Sequence, residues 1–144
     1  MITVRKMVEK DAFRASELEK ASFSSPWSED AFIQTLTKDY ASYYVAEEND
    51  GIVGMCGLLN MAGEGELTNV SVDEKYRRRG VASMLLAHLF EDGEKLDIKA
   101  FTLEVRCQNR AAIHLYEKFG FKIEGIRKNF YEKPQDDAYI MWKR

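Results

Sequence analysis

The chain changes its hydrophobic period between residues 70 and 89, and that change constrains the fold more than any other feature. Val70-Ser71-Val72 reads as the end of a β-branched strand. From Val81 onward, Val81, Met84, Leu85, His88 and Leu89 recur at i, i+3, i+4, i+7 and i+8, the spacing of one helix face. Between them lies a basic turn, Lys75-Tyr76-Arg77-Arg78-Arg79, closed by Gly80. A strand, a glycine turn and a helix in succession aim free backbone N–H groups and the positive end of a helix dipole at one point. With arginines beside those donors, the expected guest is a phosphate or pyrophosphate.

Two familiar phosphate loops are excluded. The turn lacks the Gly-Lys-Ser/Thr of a nucleotide P-loop, and it carries one of the three glycines of a dinucleotide fingerprint. The other reading of Lys75–Arg79 is a solvated charge run or a nucleic-acid patch. Acidic residues outnumber basic ones 24 to 21, for a net charge of −3, whereas nucleic-acid-binding domains are generally basic. The weak negative balance is compatible with a basic peptide or an amine as partner.

At 144 residues, residues 1–144 are expected to form one domain, large enough to bury about two thirds of its unfolded surface. The N-terminus, Met-Ile-Thr-Val-Arg-Lys, lacks the apolar run of a signal peptide, and no apolar stretch is long enough to span a bilayer. A cytoplasmic protein is therefore expected; a monomer is expected too, although nothing in the sequence fixes the oligomeric state. Cys56 and Cys107 are too few for a disulfide framework. Each sits in an apolar, strand-like stretch and is expected as a buried reduced thiol. His88 and His114 are too sparse to suggest a metal.

Ile2–Arg5 reads as a first strand, residues 11–23 as a helix, and Ser28 as the N-cap of a second helix. The loop between them, Ser24-Ser25-Pro26-Trp27, carries an aromatic expected to be exposed. Tyr43–Glu48 and Ile52–Leu59 form a hairpin through Asn49-Asp50-Gly51. Gly63-Glu64-Gly65 turns the chain into a strand over Glu66–Val72, and the helix from Gly80 runs to about Lys95. In Ala100–Arg106, Phe101, Leu103 and Val105 face one side, and Thr102, Glu104 and Arg106 the other. Asn109 caps a helix bearing Ala112, Leu115, Tyr116 and Phe119, which Gly120 ends in the left-handed conformation. Phe121–Ile126 and Ala138–Trp142 supply the last strands. The order β-α-α-β-β-β-α-β-α-β-β implies a mixed, largely antiparallel sheet with helices on both faces, an α/β (mixed α+β) fold.

Glu104, on the polar side of a largely apolar strand, is a candidate general base, because partial burial raises a carboxyl pKa toward that role. The competing reading is a salt bridge, for instance to Arg106. Tyr116 reads equally as a core tyrosine or as a phenol acting as general acid. Asn109 reads as a cap or as an amide that contacts a ligand.

The segment Arg77-Arg78-Arg79-Gly80-Val81-Ala82 resembles the Arg/Gln-x-x-Gly-x-Gly/Ala signature of the GCN5-related N-acetyltransferases, which bind acetyl-coenzyme A. Leu103-Glu104-Val105-Arg106, Asn109-Arg110-Ala111-Ala112, Leu115-Tyr116-Glu117 and Phe119-Gly120-Phe121 look like that family's RimI branch. So do Pro26-Trp27-Ser28, Arg127–Tyr131 and Asp136-Asp137-Ala138. Nearly the whole chain is covered. Enzymes of that branch acetylate the N-terminal alanine of a small-subunit ribosomal protein.

The resemblance implies Glu104 as general base and Tyr116 as general acid. Val70, Ser71 and Val72 would present backbone groups to the acetyl and pantetheine portion. Arg77, Arg78, Arg79, Gly80, Val81, Ala82 and Ser83 would cradle the pyrophosphate, and Asn109 would hold the coenzyme's arm. Pro26, Trp27, Phe130 and Tyr131 would line the peptide groove. Phe130 and Asp136 depart from the branch's usual tyrosine and glutamate, and both departures bear on the peptide rather than the reaction. Open alternatives are acetylation of lysine, a polyamine or a small-molecule amine, and a non-catalytic acetyl-coenzyme A-binding module.

Overall fold

A computed structural model describes Met1–Arg144. Its elements are β1 (Thr3–Lys6), α1 (Ala12–Ser22), α2 (Glu29–Leu36), β2 (Ala41–Glu48), β3 (Gly51–Met61), β4 (Glu64–Val72), α3 (Val81–Lys95), β5 (Ala100–Arg106), α4 (Arg110–Lys118), β6 (Lys122–Tyr131) and β7 (Asp136–Lys143). The expected element order is the observed one, with short 3₁₀ turns added at Glu9–Asp11 and Glu74–Tyr76. No helix is long and apolar enough to cross a membrane.

The strands form one sheet in the order β1-β2-β3-β4-β5-β7-β6. Every neighbouring pair is antiparallel except β4 and β5. Leu18 of α1 and Phe32 of α2 pack on one face against Tyr43, Val45 and Met55. Leu85, Leu86 and Leu89 of α3 and Ile113 and Tyr116 of α4 pack on the other against Leu58, Leu103 and Val105.

Local chemistry accounts for most boundaries. Ser28 accepts from Ala31 N–H at 3.1 Å and starts α2. Asn49 and Asp50, at φ 52° and 64°, make the two-residue loop between Glu48 and Gly51, the backbone twist a tight hairpin requires. Gly120, at φ 97°, ends α4.

Several expectations are corrected. The β3–β4 turn is Ala62-Gly63 (φ 57° and 91°), because Met61 already pairs with Glu64. Gly65 lies inside β4, where a Cβ would come within 2.9 Å of Leu58 and Phe101, so it is needed for close packing rather than for turning. On α3 the buried stripe is Val81, Leu85, Leu86, Leu89 and Phe90, while Met84 is exposed. That helix is apolar over so much of its circumference that periodicity alone fits two overlapping stripes, and the larger pair Leu86 and Phe90 takes the core. Cys56 is buried as expected, but Cys107 lies just past β5 and is only half-buried.

One irregularity opens the sheet. Cys56 pairs with Val70 and Leu58 with Leu67, so Thr68 and Asn69 together oppose Gly57. Such a bulge bends its strand. Parallel pairing between β4 and β5 covers only Glu64–Ala100, Gly65–Phe101 and Glu66–Thr102. Beyond Glu66 the two strands separate, and their facing edges carry backbone donors and acceptors that the ladder does not use.

Candidate active site

The opening between β4 and β5 is bounded at its mouth by the glycine turn. Arg78 and Gly80 have φ of 64° and 77°, while Arg79 between them does not have positive φ. A backbone that alternates in this way turns successive N–H groups toward one side, as in an anion nest. Gly80 is the N-cap of α3 and supplies no side-chain cap. The first helical hydrogen bond, Met84 N–H to Gly80 C=O at 3.0 Å, leaves the N–H groups of Val81, Ala82 and Ser83 without helical partners. A cavity of about 130 Å³ lies there, lined by Val72, Tyr76, Arg77, Arg78, Gly80, Val81, Ala82 and Ser83.

Arg79 is not in that lining. Its guanidinium sits 3.6 Å from the Glu48 carboxylate and 4.9 Å over the Tyr76 ring. Ser71 also turns away, its hydroxyl donating to Glu19 at 3.0 Å, so only its backbone can face the opening. The Asn109 Oδ1 caps α4 by accepting from Ala112 N–H at 3.1 Å, which occupies the oxygen and spares the amide nitrogen.

Glu104 and Tyr116 approach from opposite faces of the sheet. Glu104 alternates with Leu103 and Val105, which belong to the α3–α4 core, so its carboxylate points to the α1–α2 face. Its partner is not Arg106 but Arg127 on β6, whose Nε lies 2.5 Å from Oε2. That contact lacks hydrogen-bond alignment, and Oε2 is shut off from solvent with no hydrogen bond. Arg106 instead donates to the carbonyls of Pro134 (2.7 Å) and Glu132 (3.2 Å) and lies 4.3 Å over the Tyr131 ring.

Tyr116 is buried and meets Phe121 edge-on at 5.8 Å. Burial pushes its phenol pKa well above the usual value, helped by neighbouring Cys56 and Tyr131, and no hydrogen bond from the protein offsets this. Tyr131 is itself pushed up to about 12, first by burial and then by the Glu104 charge. The phenol of Tyr131 therefore lies within electrostatic reach of both Glu104 and Tyr116.

The loop carrying Pro26 and Trp27 meets the β6–β7 hairpin carrying Phe130 and Tyr131, where Ser24 Oγ donates to Glu132 C=O at 3.1 Å. Phe130 is exposed. Trp27, expected to be exposed, is half-buried, its ring 5.3 Å from Phe32 and 5.8 Å from Tyr43.

Residues 12–121 match the model of the acetyltransferase (GNAT) family, and the chain belongs to that family. It is 36% identical over 140 residues to a protein of Bacillus subtilis (strain 168) provisionally named a ribosomal protein bS18-alanine N-acetyltransferase, spanning 96% of this chain and 93% of the relative. Over 143 residues it is 33% identical to the ribosomal protein bS18-alanine N-acetyltransferase of Escherichia coli (strain K12), spanning 98% and 96% of the two chains. The crystal structure of the ribosomal-protein-S18-alanine N-acetyltransferase from Escherichia coli matches with a TM-score of 0.92 at 32% identity, covering 99% of this chain and 93% of that one.

Two groups near the site escape sequence reasoning. Arg127 becomes the partner of Glu104 only because β7 pairs with both β5 and β6, which leaves the two residues one strand apart on the same face. Glu19 is 1% exposed and accepts hydrogen bonds from Trp27 N–H, Asn69 and Ser71. Its one sequence signal is a glutamate next to Leu18 and four residues after Ala15, on the buried stripe of α1.

Proposed function

We propose that this chain transfers the acetyl group of acetyl-coenzyme A to the N-terminal alanine amine of a small-subunit ribosomal protein. The observation that carries this reading is the near-full-length similarity to two bS18-alanine N-acetyltransferases, joined to a carboxylate and a phenol on opposite faces of the sheet, beside its opening.

Acetyl-coenzyme A is the co-substrate and supplies an activated thioester. The free N–H groups of Val81–Ser83, with Arg77 and Arg78, fit its pyrophosphate. The separated edges of β4 and β5 fit the amide-bearing pantetheine arm, with Asn109 donating from its spare nitrogen. Backbone N–H groups of Val70–Val72 polarise the acetyl carbonyl.

The incoming α-amine has a pKa near 8 and is partly ammonium at neutral pH. It approaches on the α1–α2 face, along the groove between Pro26-Trp27 and Phe130-Tyr131. There its positive charge displaces the Arg127 guanidinium from Glu104, exchanging one cation for another. Glu104 takes one proton from the bound ammonium, directly or through a water, and the freed amine attacks; the nitrogen loses its second proton to solvent water as the adduct collapses to the amide. Tyr116, kept protonated by burial, delivers its proton to the departing sulfur from the other face.

The test offers a peptide beginning Ala-Arg, the same peptide with a blocked N-terminus, internal-lysine peptides and a polyamine, following thiol release and the site of acetylation by mass spectrometry. Acetylation confined to the free N-terminus is expected. Turnover of the lysine or polyamine substrates in its place, or coenzyme binding with no thiol released for any substrate, would overturn the proposal.

A further inference from the structure

The most unusual group that this mechanism leaves unused is the carboxylate of Glu19. It is 1% exposed, yet no cation lies against it. Instead Oε1 accepts from Trp27 N–H at 3.3 Å and from Asn69 Nδ2 at 3.0 Å, and Oε2 accepts from Ser71 Oγ at 3.0 Å. The network continues: the Tyr43 hydroxyl donates to Asn69 Oδ1 at 3.1 Å and shares a 2.6 Å contact with Thr68 Oγ1. Trp27 is thus gripped twice, by its backbone through Glu19 and by its ring against Tyr43 and Phe32.

A buried carboxylate without a counter-ion is costly to desolvate, and a buried polar cluster replaced as a whole by apolar residues of similar size is often neutral or better for stability. Stability is therefore a poor reason for Glu19 to stand here. Its location offers another. Thr68 and Asn69 are the bulge that opens the sheet, and Ser71 lies on the separated stretch of β4. Trp27 belongs to the loop that meets the β6–β7 hairpin through Ser24. One carboxylate therefore bridges the strand that would hold the coenzyme's arm and the loop that would wall the peptide groove.

We infer that Glu19 is a positioning residue, which locks the Pro26-Trp27 loop onto β4 so that the peptide groove is held at a set distance from the thioester. The inference rests on the function proposed above. Of the two partners, β4 is held independently by its pairing with β3 through Val72. The loop has no ladder of its own, so loss of Glu19 releases the loop and the peptide side suffers.

Glu19→Gln and Glu19→Leu test this. Glutamine can keep Oε1 on Trp27 and Asn69 and donate from its nitrogen to Ser71, whose hydroxyl rotates to accept. Leucine fills the volume but accepts nothing. For Glu19→Leu, KM for the Ala-Arg peptide should rise about tenfold or more, the scale of a buried donor left unpaired. Its acetyl-coenzyme A affinity by calorimetry should stay within about threefold, and Glu19→Gln should match the parent chain within about threefold in all parameters. If Glu19→Leu does not fold, Asn69→Ala removes one donor and should raise peptide KM about threefold.

An unchanged peptide KM in the folded Leu or Ala variant would overturn the inference. So would a Gln variant as impaired as Leu, which would mean that the charge rather than the geometry matters. A parent chain that neither binds acetyl-coenzyme A nor turns it over would instead refute the proposed function.

Discussion

Tyr116→Phe removes one oxygen from the chain and separates catalysis from stability unusually well. The ring is buried against Phe121, and its hydroxyl makes no hydrogen bond to the protein. Phenylalanine keeps the ring and its edge-on contact, so no cavity forms and no partner is orphaned. The change in stability should stay within about 0.5 kcal/mol, a shift in Tm of roughly 2 °C or less for a domain of this size. Catalysis should respond very differently, because a positioned proton donor contributes about 10²–10⁴ in rate.

The steady-state assay follows thiol release at saturating acetyl-coenzyme A and peptide, beside a thermal melt of the same preparation. The expected result is kcat down at least about 10²-fold with peptide KM and Tm nearly unchanged. Unchanged kcat would remove the acid role from Tyr116. A Tm loss of many degrees would mean that its hydroxyl is structurally bonded after all.

Three further outcomes are expected. Arg127→Gln frees Glu104 of a partly exposed ion pair, a contact worth about 0.2–1 kcal/mol. Peptide KM should therefore fall by up to about fivefold with kcat unchanged, and a rise in KM would show that Arg127 binds the peptide instead. Gly80→Ala forces an L-residue to φ 77° with nothing within 4 Å of the new Cβ, so the strain is purely conformational. It should cost about 1–2 kcal/mol and lower Tm by a few degrees. Acetyl-coenzyme A affinity by calorimetry should fall with it, and undiminished affinity would detach the turn from the coenzyme. Finally, burial raises the Glu19 pKa above its ordinary 4.5, so as pH rises the unfolded chain gives up this proton before the folded chain does. Folded parent protein therefore loses stability relative to Glu19→Gln across that window. The Tm advantage of the Gln variant should be larger at pH 7 than at pH 4, and an advantage independent of pH would contradict the burial argument.

Much of this protein is legible along the chain because its determinants are local. The element order follows from switches between period 2 and period 3.6. The ends of α2 and α4 follow from Ser28, Asn109 and Gly120, each of which acts within a few residues of itself. The anion cradle is equally local, a left-handed glycine beside arginines at the start of a helix.

What tertiary structure alone decided is the set of directions that the bulge at Thr68–Asn69 resets. Leu67, Val70 and Val72 share the α3 face although strict alternation would divide them, and Asn69 and Ser71 turn to Glu19. A single inserted residue reverses every later side chain of a strand, and nothing in a period-2 pattern marks where it falls. The Glu104–Arg127 pair and the turn of Arg79 toward Glu48 join residues far apart in sequence. Proximity of that kind is created by strand order, so it does not exist until the sheet has formed.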